Sequence, residues 1–276
     1  RKDSARAGLL FALAADQGHA GAQAQLGKYL YQGLGGPRDL DAAMTWFERA
    51  AQSGEAQHQF DYAAALEALP GDRADPALAA QWYQRAADQG HVDAAVSLGV
   101  LYQNGSGVAQ DLTRARQLYE GPANEGHGRA LNNLGLMYVR GEGVAQDYER
   151  AAGLFADAAE RGVAQAMTNL GVMYANGFGV PLDEARAEEL TRMGARHGVD
   201  GARDGPAMPL YDPRLAPPDT SPDGLAQLAE AARAGDPVAQ FQAGWLVLDR
   251  PDAPHRDLVG AAQMLHAAAD AGLPAA

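Results

Sequence analysis

The sequence predicts an all-α chain, a solenoid of 36-residue helix-turn-helix repeats, and three observations predict it. Glycines recur at Gly18, Gly54, Gly90, Gly126, Gly162 and Gly198, each 36 residues after the last. Between them, residues such as Ala94, Leu98 and Tyr102 stand four apart, the spacing of one helical face. A second glycine pair, as at Gly105 and Gly107, interrupts each well-kept unit where a helix would stop in the left-handed conformation. A two-helix unit cannot bury its own apolar faces, so successive units should stack into one solenoid over residues 1–276.

Taken in order, residues 1–19 read as a lone second helix, from Ala5 to Gly18, with no first helix before it. Five repeats follow over 20–199. In four of them a first helix (A) carries a Leu-Gly pair: Leu26-Gly27, Leu98-Gly99, Leu134-Gly135 and Leu170-Gly171. A glycine inside a helix costs about 1 kcal/mol relative to alanine, so its return argues that another backbone packs close there. The glycine turn and an aspartate (Asp39, Asp111, Asp147, Asp183) then lead into a second helix (B), as Asp111 to Gly126, with Ala115 and Tyr119 at helical spacing. The unit from Ala56 is degenerate, with Tyr62-Ala63 at the Leu-Gly slot, yet it keeps its length.

The prolines at 206, 209, 213, 217, 218 and 222 exclude a full helix A across 200–222, so this stretch reads as an irregular replacement. The steps from Gly198 to Gly235 and from Gly235 to Gly272 are 37 residues each, so the phase survives. Helix B resumes near Asp223, and a last pair is expected at about 237–249 and 257–271, making 223–276 degenerate C-terminal repeats.

The pattern A-x-x-x-L-G-x-x-Y, G-x-G-V, D, followed by an aromatic-rich B helix as in Ala79-Gln81-Trp82-Tyr83-Ala86-Ala87-Gly90, resembles the Sel-one-like repeat, a branch of the tetratricopeptide superfamily. The resemblance covers about 5–199 strongly and 223–276 more weakly. It implies a right-handed α/α superhelix whose A helices line a concave side where a partner's peptide or helix would lie.

Composition narrows the function. With 35 acidic and 22 basic side chains among 276 residues, the formal charge is −13. Two lysines, Lys2 and Lys28, leave no basic stripe for phosphates, which argues against nucleic acid, and an anionic membrane would repel the chain. Solubility accounts for the acidity, and a basic partner would also suit it. The absence of cysteine removes thiol catalysis, disulfides and cysteine-rich metal sites. No apolar run reaches the roughly 18 residues of a membrane span. The chain opens at Arg1, so a signal peptide or lipid anchor would already be missing. Localisation stays open, with a bacterial periplasm, as for a processed lipoprotein, preferred to the cytoplasm.

No catalytic, cofactor or metal constellation emerges. His19, His91 and His127 fill one slot of separate turns; helices about 8–10 Å apart cannot bring them to the roughly 2 Å ligand distances of one zinc. His58 stands in a slot filled elsewhere by Ala22, Ala94, Ala130 and Ala166, and reads as a core histidine. The Gly-x-Gly turns lack the Gly-Lys-Ser/Thr of a phosphate cradle. The serines are scattered, and Glu188-Glu189 lies on an expected solvent face.

What remains is the side of helix A away from Leu98, at about 100° per residue. It carries Val96, Val100 and Asn104 with Asp93 and Ser97; then Arg129, Asn132, Asn133, Leu136 and Arg140; then Thr168, Asn169, Val172 and Asn176 with Gln165. Solvent-facing helix positions are usually charged. Aliphatics stacked beside asparagines instead read as a partner-binding strip, since side-chain amides can bond an extended peptide backbone. Packing of the same aliphatics between adjacent A helices would also account for them. Leu210 and Tyr211, among the prolines of 205–222, are expected to dock on the solenoid and extend the site, or to lie in a decayed repeat.

These features point to a non-catalytic bacterial scaffold or adaptor that holds a protein partner. An immunity protein or inhibitor clamping a toxin or effector enzyme is a sharper alternative, and an enzyme with an unrecognised carboxylate site is an alternative of another class. Oligomeric state has no signature in the sequence.

Overall fold

The computed structural model describes residues 2–200 and 222–234, with Ala239 and Ala243. Among the described residues are twelve helices and no strand: α1 (Lys2–Asp16), α2 (Ala20–Gln32), α3 (Leu40–Ala51), α4 (Ala56–Glu67), α5 (Pro76–Ala87), α6 (Val92–Asn104), α7 (Leu112–Asn124), α8 (Gly128–Arg140), α9 (Tyr148–Glu160), α10 (Ala164–Asn176), α11 (Glu184–Asp200) and α12 (Pro222–Arg233). Even-numbered helices from α2 to α10 are A helices, and odd-numbered ones from α1 to α11 are B helices. This is an all-α solenoid. Helix α12 starts where a B helix was expected to resume. The strand-free span bears out the helical reading of 20–199, whereas the expected pair at 237–249 and 257–271 and the proline segment 205–221 lie outside the described residues.

The chain divides into two compact units, Arg1–Pro122 and Ala123–Ala276. In the first, α1 to α5 each pack on the next helix in the chain. Their core joins Phe47, Tyr62, Leu66, Tyr83, Leu98 and Leu101. In the second, α8, α9, α10 and α11 pack likewise, around Leu134, Met137, Phe155, Leu170 and Met173. The expected core residues Leu98, Leu134, Tyr138 and Leu170 are buried. Tyr102 and Tyr174 are a correction, being only half-buried.

The helix A glycines seat aromatic rings, which corrects the expectation of a close backbone. A Cβ on Gly99 would lie 2.5 Å from the Tyr119 ring, one on Gly135 2.7 Å from Phe155, and one on Gly27 3.0 Å from Phe47. Each ring stands 20 residues after its glycine, on the B helix of the same repeat. Only at Gly171, where Thr191 replaces the ring, does backbone approach, with Ala187 O at 3.0 Å from such a Cβ.

Each B helix from α3 to α11 begins on an aspartate whose carboxylate accepts the N–H of the third residue beyond it. Asp39 accepts from Ala42 at 3.0 Å, and Asp75, Asp111, Asp147 and Asp183 accept from Leu78, Arg114, Arg150 and Arg186 at 2.9 Å. The backbone N–H of each aspartate also donates to a carbonyl nine residues back on helix A: Leu30, Leu66, Tyr102, Tyr138 and Tyr174. One residue therefore ties both helices of a repeat, including the degenerate one.

The glycine turns stop α2, α6, α8 and α10 in the left-handed region, with φ of 67–69° at Gly33, Gly105, Gly141 and Gly177, as the sequence predicts. At Gly179 (φ 65°) a Cβ would fall 2.2 Å from the carbonyl carbon of Tyr148, so this turn lies directly on the start of α9. Phe178 beside it is fully buried and stacks on the Tyr148 ring, 5.1 Å between centroids.

Candidate functional site

Within the second unit, the expected binding strip separates into buried and accessible parts. Asn132, Asn133, Leu136 and Asn169 are buried, with Asn169 only 1% exposed. This corrects the solvent-facing placement of those four. An A helix in a stack is covered by its own B helix and by a neighbouring A helix, so only a narrow part of its far side stays open. The Asn169 Nδ2 donates to Asn132 Oδ1 at 3.0 Å, a buried amide pair joining α10 to α8. That bond satisfies two polar groups whose burial alone would each cost about 1–3 kcal/mol.

The accessible part comprises Arg129, Arg140, Thr168, Val172 and Asn176, all half-buried. Thr168 Oγ1 donates back to Ala164 O at 3.2 Å and Asn176 Nδ2 to Val172 O at 2.8 Å, so both side chains lie against their own helix. Arg140 Nη1 lies 3.8 Å from Glu142 Oε2. In the first unit, Val96 is fully buried, a second correction, while Val100 is half-buried and Asn104 exposed. Leu210 and Tyr211 lie outside the described residues.

The first unit holds a polar chain that the sequence reading missed. Lys28 Nζ pairs with Asp61 Oδ2 at 2.7 Å, Gln57 Nε2 donates to Asp61 Oδ1 at 3.0 Å, and Gln57 Oε1 lies 3.3 Å from His91 Nε2. His91 Nδ1 accepts the Ala94 N–H at 3.2 Å, capping α6, and its ring stacks on Phe60 at 4.7 Å. His127 caps α8 in the same way through Ala130 N–H. The repeated Gly-His phrase was the available signal, but histidine is not among the favoured N-cap residues. His58 is buried, with Nδ1 3.3 Å from Ser53 Oγ. Among the described residues no three histidine, aspartate or glutamate side chains gather in a metal-binding group.

Burial raises the pKa of the Tyr62 hydroxyl above its ordinary 10.0, and the negative charges of Glu48 and Asp75 add to the effect. Among the described residues no helix is long and apolar enough to cross a membrane. On α1, Leu9, Leu10 and Leu13 are 69%, 61% and 62% exposed, an apolar face without a covering element among the described residues.

Known structures share this architecture. The crystal structure of c5321, a protective antigen present in uropathogenic Escherichia coli strains and displaying an SLR fold, aligns with a TM-score of 0.62 at 28% identity. The alignment covers 95% of this chain and 56% of that one, so the chain spans little more than half of that antigen's length. A Sel1 repeat protein from Oxalobacter formigenes aligns with a TM-score of 0.58 at 32% identity, over 66% of this chain and 75% of that one. No curated protein matches the sequence. Sel1 repeat proteins generally mediate protein–protein interaction and are typically non-enzymatic scaffolds. The Sel1 repeat model matches residues 1–19, 20–55, 59–91, 92–121, 128–163 and 164–199, in phase with the helix pairs and their glycine turns, and on that ground the chain belongs to the Sel1 repeat family.

Proposed function

We propose that the protein is a non-catalytic scaffold or adaptor that holds a protein partner along the open side of its A helices. The observation that carries this reading is Val172, which stays half-exposed on α10 while Met167, Asn169, Leu170 and Met173 around it are buried. An aliphatic side chain at a solvent position, flanked by the half-buried Thr168 and Asn176, makes a contact patch of the kind a partner helix or strand covers. Val100 takes the same place on α6 in the first unit. The −13 charge favours a partner with basic surface, which predicts binding that weakens as salt rises.

The test begins with affinity capture from the native cell and mass spectrometry, followed by calorimetry with the purified partner. Val172→Glu is expected to weaken binding at least tenfold, since a charge at the core of an interface is left unpaired, while helicity by circular dichroism stays unchanged. Unchanged affinity would refute the strip. A single stoichiometric toxin or effector enzyme, inhibited when bound, would point to the immunity-protein alternative over the adaptor.

A further inference from the structure

A cleft of about 470 Å³ opens in the first unit between α5 and the glycine turn that follows α6. None of the strip residues lines it. Its floor is the buried Ala80 with the half-buried Val108, the exposed Ala77 lies at its edge, and Gln81, Arg85 and Tyr102 stand around them. Sequence explains why it exists here. In α3, α7, α9 and α11 the slots of Ala77 and Ala80 hold Asp41 and Met44, Thr113 and Arg116, Glu149 and Ala152, and Ala185 and Glu188, so each of those helices places at least one larger side chain where α5 has two methyl groups. The turn approaches α5 closely, since a Cβ on Gly107 would lie 2.3 Å from Ala77 N.

The rim is chemically poised. Arg85 is exposed, its guanidinium held 4.3 Å over the Trp82 ring, and Trp82 in turn packs edge-on to Tyr62 at 5.5 Å. Stacking orients the guanidinium while leaving its N–H edge free for a carboxylate. No carboxylate among the described residues pairs with it, although the chain carries an excess of acids. The Gln81 amide and the Tyr102 hydroxyl also have no partner there, and both can bond a peptide backbone.

We propose that this cleft is a second binding site, for a short extended peptide that seats an aliphatic side chain over Ala77, Ala80 and Val108 and offers a carboxylate to Arg85. An apolar floor with a few convergent polar groups is the usual constitution of a ligand cleft. The site is separate from the A-helix strip, so Val172→Glu leaves it intact and the two readings fail independently.

Two capped peptides test it on the full chain by heteronuclear NMR: one with a leucine and an aspartate two positions later, the other with asparagine in place of the aspartate. The acidic peptide is expected to shift the Gln81 side-chain amide, the Arg85 Nε–H and the Val108 amide, and the asparagine peptide to bind about tenfold more weakly, the loss of one charge-assisted hydrogen bond. Ala80→Met, the residue that the preceding repeat holds at this slot as Met44, fills the floor and should abolish the shifts. Arg85→Gln, at an exposed position, should leave the fold unchanged and make the two peptides equivalent. Equal binding of both peptides to the unaltered chain, shifts that persist in Ala80→Met, shifts scattered over the surface, or none with either peptide would each overturn the proposal.

Discussion

The repeats at 56–91 and 128–163 have the same length and the same helix order, but different interiors. In the second, Gly135 lets the Phe155 ring lie against the backbone of α8. In the first, Ala63 stands at that slot, fully buried, and the corresponding ring is Tyr83, which leans on Phe60 at 5.7 Å and donates its hydroxyl to Glu67 Oε2 at 2.7 Å. The first also lacks the left-handed helix stop: α4 ends on Ala68 with φ −82°, and a 3-10 turn at Gly71–Arg73 takes up the remaining residues. Both keep the aspartate tie. The Leu-Gly slot and the first glycine of the turn can therefore be replaced by other local solutions, whereas the link from helix A to helix B is held constant.

The largest test of that contrast is at the second turn glycine. Gly179→Ala puts a methyl group 2.2 Å from the Tyr148 carbonyl carbon, which cannot move without displacing α9, and should cost roughly 3 kcal/mol or more. Gly71 fills the same slot of the degenerate repeat at φ 58° with open space around it, so Gly71→Ala should cost only the left-handed penalty, about 1–2 kcal/mol. Urea unfolding of both variants measures the difference, and equal losses would break the comparison.

The ring seat comes next. Gly135→Ala places its Cβ 2.7 Å from the Phe155 ring and should destabilise by about 1–3 kcal/mol through overpacking, while Ala63→Gly should cost about 1 kcal/mol from helix propensity. A stabilising Gly135→Ala would show that the ring moves aside freely. The aspartate tie should instead be equal in both repeats. Asp147→Ala and Asp75→Ala are each expected to lose about 1 kcal/mol, and a negligible effect at Asp75 would mean that the degenerate repeat no longer relies on its cap.

The smallest effect is in alkali. Tyr62 occupies the slot of Leu98 and Leu134, and its folded pKa is raised. The unfolded chain gives up this proton first, so the stability linked to it is complete below about pH 10 and is lost as pH rises beyond that. Tyr62→Phe should flatten thermal stability against pH in that range without altering it at neutral pH. An unchanged slope would refute it.

Much of the fold was legible because spacing is a backbone property. Helix stops at Gly105, Gly141 and Gly177 follow from glycine's access to positive φ, and the cap slots follow from aspartate placed just before a periodic apolar run. The strip was less legible, because a helical wheel separates the sides of one helix without showing what its neighbours cover. Asn133 and Asn169 look solvent-facing on a wheel, yet both are buried, and Asn169 is bonded to Asn132, 37 residues away. The seat at Gly99 was legible as a close contact, but not as a ring, since the pairing with Tyr119 is tertiary.

The aspartate tie also bears on how such a chain can change over time. Each aspartate reaches nine residues back with its N–H and three residues forward with its carboxylate. Inserting or deleting one residue in the turn would break one of those two bonds, and would rotate every later side chain of helix B by about 100° away from its ring seat or core position. Gain or loss of a whole 36-residue block does neither. Such a chain is therefore free to drift in side chains, as 56–91 has, while its length alters in complete cassettes, so related chains should differ from it in the number of repeats far more readily than in the size of any one.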